Sequence, residues 1–380
     1  MKALSDVVGA SRVVVVCGSG GVGKTTTAAA IGLLAATHSA RRVLVMTVDP
    51  ARRLADALHV ERIGNHAVGI DPGALEAACG TPPQGSLSAA MLDTKQSWDD
   101  LVRRHAPDET TRDRILGNPL YANITGRFVQ SHDYIAMERL HEVVESGDWD
   151  LVVIDTPPVS HAVDFLEAPA RMADFFDSRL LKFLVAPSRS KVLNLTARPF
   201  LQLADRILGK RFLADISELF GLLETMRPGF IERARSVEAL LAEPTTTFAV
   251  VTTLEHAARA EAASFLDELR RRGLGVGALV LNRTLPRDLV RSEDGGAIGG
   301  AVQSAARAVA AALGEDPAQV ERVLRSATEN LERMELLARQ EEAERAALAE
   351  VPEVLVAAPR FGHELGDLSG LARLGGTIWW

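Results

Sequence analysis

The stretch Val13-Val14-Val15-Val16-Cys17-Gly18-Ser19-Gly20-Gly21-Val22-Gly23-Lys24-Thr25-Thr26 constrains this chain more than any other, because it joins a β-branched run to a glycine-rich turn and then to an Ala-rich helical segment. Four consecutive valines read as a strand buried on both faces. Gly18 through Thr25 then meets the pattern G-x-x-x-x-G-K-[ST], in which each position has a mechanical task. Glycines let the backbone turn tightly, so that N–H groups of Gly20, Gly21, Val22, Gly23, Lys24 and Thr25 point inward at phosphate oxygens, helped by the positive end of the following helix. Lys24 is expected to bridge β- and γ-phosphates, the Thr25 hydroxyl to hold Mg²⁺, and Thr26 to reach the α-phosphate. The pattern predicts a nucleoside triphosphatase. Of 42 Lys plus Arg only six are Lys, so a lysine here marks a position that a guanidinium would not serve.

Composition fits an intracellular enzyme. At 380 residues, 47% hydrophobic and 24% charged, the chain can bury a large core. It has two cysteines, Cys17 in the first strand and Cys79 in a segment that reads as a loop, too few for a disulfide framework or a thiol metal site. No apolar run approaches the roughly 18 to 20 residues of a membrane span, and Asp6 interrupts the N-terminus before any signal-like apolar region. A cytoplasmic location is expected, with no transmembrane segment. A net charge of −8 argues against a nucleic-acid partner, which would call for a basic face.

Short β-branched runs at Arg12–Cys17, Arg42–Val48, Leu151–Ile154, Thr247–Thr252, Val276–Leu281 and Val354–Ala357 alternate with helical patterns. That alternation predicts an α/β fold: a mostly parallel, doubly wound P-loop sheet with helices on both faces. Ligands of such sheets lie beyond the carboxyl ends of the strands, where Asp49, Asp155 and Asn282 fall. We read residues 1–380 as one ATPase domain with helical insertions at about 90–146 and 165–242 and a charged, solvated helix at about 316–350. The second insertion holds eight of the twelve Phe and reads either as ordinary interhelical packing or as one wall of an apolar groove. Arg287–Gly300 reads as a mobile loop, and the tail Leu365–Trp380 as a helix packed on the core.

Phosphoryl transfer needs neutralised phosphate charge, an aligned water and exclusion of bulk solvent. Asp49, ending the second strand before Pro50, is expected to orient the water, the alternative being a helix N-cap. Asp155 closes the apolar run Leu151–Ile154 in the Walker B manner and is expected to hold the Mg²⁺ shell through water. The strand ends Thr252-Thr253-Leu254-Glu255 and Leu281-Asn282-Arg283-Thr284 lack the [NT]-K-x-D element of GTPases, which favours ATP.

Taken together, Gly18–Thr26, Val48-Asp49-Pro50-Ala51, Gly69-Ile70-Asp71-Pro72, Asp155-Thr156-Pro157-Pro158 with His161, Leu281-Asn282-Arg283, and Pro359-Arg360 with Glu364 and Gly366 resemble the arsenical-pump and tail-anchored-protein-targeting ATPases, dimeric P-loop proteins with a deviant Walker A. The resemblance implies a dimer driven by ATP and Mg²⁺, with ADP as product. It implies that Asp49, Pro50 and Arg53 lie in one switch and Asp155, Pro158 and His161 in a second, and that Asn282, Pro359 and Arg360 surround adenine. Helical insertions would then open and close around a partner or an apolar helix of a protein cargo.

Three departures from the family pattern bear on partners. Ser19 stands where the family has a lysine that crosses the dimer to the partner's nucleotide, Arg53 stands where targeting members have Asn, and the zinc-binding Cys-x-x-Cys is missing, so no zinc is expected. A homodimer would lack the trans charge at both sites and turn over slowly; a heterodimer with a lysine-bearing paralogue would restore it at one. Two other roles stand beside the cargo switch: the energising ATPase subunit of an anion transporter, and a partition or positioning ATPase. Peripheral membrane association is left open.

Overall fold

The computed structural model describes residues 2–49, 53–61, 63–121, 129–157, 166–168, 170–172, 174, 210–289, 298–348, 353–362 and 365–380. Among these, eight strands make one sheet: β1 (Val13–Gly18), β2 (Arg42–Thr47), β3 (Val68–Gly69), β4 (Ser86–Met91), β5 (Leu151–Asp155), β6 (Thr246–Thr252), β7 (Val276–Thr284) and β8 (Val354–Pro359). Their order is β3-β4-β2-β5-β1-β6-β7-β8. Every pairing is parallel except β3 with β4.

Alternation along each strand divides the core in two. Val13, Val15 and Cys17 on β1, with Leu44, Met46, Val152 and Ile154, face one layer of helices; Val14, Val16, Val43, Val45, Leu151 and Val153 face the other. Because both faces are covered, the central strands read as unbroken apolar runs rather than alternating ones. The helix Lys24–His38 is buried on nearly every side, from Thr27 to Thr37. Its small residues make that possible: a Cβ on Gly32 would lie 2.2 Å from Val45 Cγ2, and one on Gly375 of the helix Leu368–Ile378 would lie 2.7 Å from Leu34 Cγ. The phosphate-loop helix is therefore sandwiched between the sheet and the last helix.

Two strands were not expected from the sequence. Strand β4, Ser-Leu-Ser-Ala-Ala-Met, has no β-branched residue, and β3 is two residues long. Pairing in register with β2, from Arg42↔Ser86 to Thr47↔Met91, overrides the weak local preference of β4. Cys79 ends the helix Pro72–Cys79 instead of lying in a loop; Asp71 caps that helix by accepting from the Ala74 N–H at 3.0 Å. Of the expected loop Arg287–Gly300, Arg287–Leu289 forms a 3₁₀ turn and Ile298 begins the helix Ile298–Leu313, while 290–297 lies outside the described residues.

The first expected insertion contains helices Thr94–His105, Glu109–Leu116 and Val129–Glu145, and the described end of the second contains Lys210–Thr225 and Arg227–Ala242. Phe165, Phe175, Phe176, Phe183 and Phe200 lie outside the described residues. Phe230 is packed in the interior with ring centroids 6.3 Å from Trp98 and 5.8 Å from Tyr134. Arg233 lies over its ring and donates Nε–H to the buried Glu138 at 2.9 Å. The helix Pro317–Leu348 is largely exposed, as its charge pattern requires. In the tail, Leu368, Leu371, Leu374 and Ile378 are buried, and Trp379 packs beside His38 at the end of the phosphate-loop helix. Among the described residues no helix is long and apolar enough to cross a membrane.

Candidate nucleotide site

The carboxyl ends of β1, β2, β5, β7 and β8 open on a cleft of about 980 Å³. Gly20, Gly21, Gly23, Lys24, Thr25, Thr26, Asp49, Arg53, Asp155, Asn282, Pro359 and Arg360 all line it, so candidates spread over 340 residues of sequence converge on one wall-to-wall site. Val22 does not line it: its side chain is buried, leaving only its backbone to contribute. Pro50, Pro158 and His161 lie outside the described residues.

Loop geometry follows from its glycines. Gly21 and Gly23 have φ of 76° and 98°, a region that L side chains avoid. Gly18 abuts β6 so closely that a Cβ would meet Val251 O at 2.0 Å. Gly23 stands at the N-cap of Lys24–His38 without a side-chain cap, and the first turn carries no acidic residue. The free N–H groups and positive end of that helix are thus turned toward the cleft, as an anion requires.

Asn282 clamps the loop from β7. Its Nδ2 donates to Val22 O at 2.7 Å, its Oδ1 accepts from the Arg283 N–H at 2.9 Å, and Arg283 itself adopts φ 58°. The next residue on that strand, Thr284, pairs with Pro359, and Thr284 O accepts from the Arg360 N–H at 2.9 Å, which fixes Pro359–Arg360 beside Asn282.

Charge is concentrated around Lys24 and Asp155. Lys24 is buried and its Nζ donates to Ser19 O at 2.9 Å; burial lowers its pKa, against the opposing pull of Asp155. Asp155 is 1% exposed and its Oδ2 accepts from Thr25 Oγ1 at 2.6 Å and from Thr47 Oγ1 at 3.0 Å. Burial pushes its pKa up to about 6, although both hydroxyls and Lys24 act in the other direction. Its second oxygen, Oδ1, is buried with no hydrogen-bond partner among the described residues. Asp49 is half-exposed and lies 3.8 Å from Arg53 Nη1. Thr47 and Phe361 carry no role in the sequence reading, although Phe361 lines the cleft and Thr47 bonds to Asp155. Only the register Thr47↔Asp155 distinguishes Thr47 from an ordinary β-branched strand end.

The sequence model of the anion-transporting ATPase family, named ArsA ATPase, matches residues 11–294, which takes in the phosphate loop, Asp49, Asp155 and Asn282. The chain belongs to this family. Relatives of this chain include an ATPase ASNA1 homolog of Entamoeba dispar, 26% identical over 72% of this chain and 76% of the relative. ATPase GET3 of Malassezia globosa is 26% identical over 70% and 71%. A putative arsenical pump-driving ATPase 1 of Aquifex aeolicus is 24% identical over 74% and 66%. The Pro359–Arg360 segment lies beyond the matched region of the family and is tied to it by the β7–β8 pairing.

Proposed function

We propose that this chain is a Mg²⁺-dependent ATP hydrolase whose nucleotide state controls a helical surface that binds a partner or cargo. The observation that carries the reading is the convergence of Lys24, Thr25, Asp49 and Asp155 on one cleft at the positive end of an uncapped helix. The loop amides and Lys24 bind the phosphates, Lys24 supplying the charge that amides alone lack. Asp49, on the cleft wall and within reach of solvent, orients the attacking water as general base. Asn282, Pro359 and Arg360 flank the base.

The residues fit a magnesium ion. Thr25 gives its proton to Asp155, which leaves its oxygen lone pairs for a cation, and the orphaned Oδ1 of Asp155 is an acceptor for a metal-bound water. When bound, the ion would neutralise charge on the β- and γ-phosphate oxygens.

Coupling to the helices is supported by chain order: Asp155 ends β5, and segment 158–242 follows at once. Contacts to a γ-phosphate order such segments. Hydrogen exchange over 165–242 tests this, with protection expected to differ between ATP-bound and ADP-bound forms; identical protection would leave a structural subdomain only. We assign no metalloid site. Cys17 is buried with its thiol pKa raised by that burial, and Cys79 lies beside Thr37 on another element.

Dimerisation belongs to the same proposal. Ser19 is 6% exposed and its hydroxyl has no partner among the described residues, so it offers no charge across an interface. A lysine-bearing paralogue is the partner that would supply one.

A further inference from the structure

We propose that Thr47 is a positioning residue whose hydroxyl ties the Asp155 carboxylate to the backbone of Asp49. This rests on the reading of Asp49 as the residue that orients water. Thr47 is the last residue of β2, 1% exposed, and stands opposite Asp155 in the β2–β5 register. A hydroxyl has one proton and two lone pairs. Thr47 gives its proton to Asp155 Oδ2 at 3.0 Å and accepts the Asp49 N–H at 3.2 Å. The intervening residue is held too, since the Val48 N–H donates to Asp155 O at 3.1 Å.

The same Asp155 Oδ2 accepts from Thr25 at 2.6 Å. One carboxylate oxygen therefore receives a hydroxyl from the phosphate loop and a hydroxyl from the strand that leads to Asp49. Whatever moves Asp155 when a nucleotide enters reaches the Asp49 backbone through a single intervening oxygen. Backbone ties at Val48 and Asp49 are thus the means by which β5 sets the start of the switch.

Thr47→Val keeps shape and strand preference while deleting the hydroxyl; Thr47→Ser keeps the hydroxyl. The full chain and the variants T47V, T47S, D49N and T47V/D49N should be compared for Mg²⁺·ATP affinity, with a fluorescent ATP analogue, and for single-turnover hydrolysis. T47V should bind within about threefold of the parent and hydrolyse about tenfold or more slowly, T47S should hydrolyse within about twofold of the parent, and the double variant should be no slower than D49N. Parental hydrolysis by T47V alongside slow D49N would overturn the tie alone. Equal slowing in T47S, or additive slowing in the double variant, would overturn it as well, the first assigning Thr47 to packing and the second to an independent effect. Parental hydrolysis by D49N would defeat both the tie and the reading it rests on.

Discussion

Asn282 and Val22, 260 positions apart in sequence, are joined by a 2.7 Å hydrogen bond from the Asn282 amide to the Val22 carbonyl. The bond sets the phosphate loop against β7 and leaves no room above Gly23, where an added Cβ would lie 2.3 Å from Asn282 Nδ2 on a backbone at φ 98°. Gly23→Ala should therefore weaken Mg²⁺·ATP binding about tenfold or more through the strained backbone and the displaced amide. Gly20 is the control: its Cβ would meet nothing within 4 Å, and Gly20→Ala should leave the melting free energy within about 0.5 kcal/mol of the parent. Thermal melts and calorimetric titration of both variants check the pair.

Lys24 carries a charge that burial disfavours in the nucleotide-free fold. Lys24→Met keeps the aliphatic stem and removes the charge, so the free protein should melt at the same temperature as the parent or higher. ATP affinity should fall about 100-fold, the scale of losing charge-assisted contacts worth about 3 kcal/mol. A variant that binds ATP as the parent does would remove Lys24 from the site.

Asp155 makes the free protein's stability depend on pH. Its folded pKa of about 6 exceeds the ordinary aspartate value of 3.8, so between these values the folded state binds more protons than the unfolded one. The stabilisation is present below pH 3.8 and is lost as pH rises through 6, on the order of 3 kcal/mol in all. Exposed, paired carboxylates such as Asp150, held at about 2 by Arg42, act in the opposite sense as pH falls. The useful quantity is therefore the difference between Asp155→Asn and parent. In nucleotide-free protein the relative stability of Asp155→Asn should rise from pH 4 to pH 6.5 and then level; a difference independent of pH would contradict the burial argument.

Much of the site could be read from sequence because its chemistry is local: the turn of Gly18–Thr25 carries the glycines, the lysine and the hydroxyl within eight residues. Asp155 was legible from the apolar run before it. Thr47 was not, since a threonine closing a strand is common and its meaning lies in the register with β5. Strand β4 escaped for the converse reason, having the composition of a loop or helix and being made a strand by its partners. A tight approach at Gly85, where a Cβ would lie 2.2 Å from Arg41 O, brings it alongside β2. The apolar tail was expected to pack on the core, but its target, the back of the phosphate-loop helix, depends on Gly375 meeting Leu34 and could not be read from spacing.

Ser19 leads to a prediction about assembly. The chain co-expressed with a related subunit bearing lysine at this position should form a heterodimer by native mass measurement and turn over ATP faster than the chain alone. A homodimer at full rate with no affinity for the lysine-bearing subunit would refute the pairing.

We propose that this cleft hydrolyses ATP with Asp49 orienting the water. Single-turnover hydrolysis of Mg²⁺·ATP by the parent and by Asp49→Asn tests it most directly. The variant should bind ATP with parental affinity and cleave it about 100-fold more slowly, retaining it as a trapped complex. Cleavage at the parental rate by Asp49→Asn would contradict it.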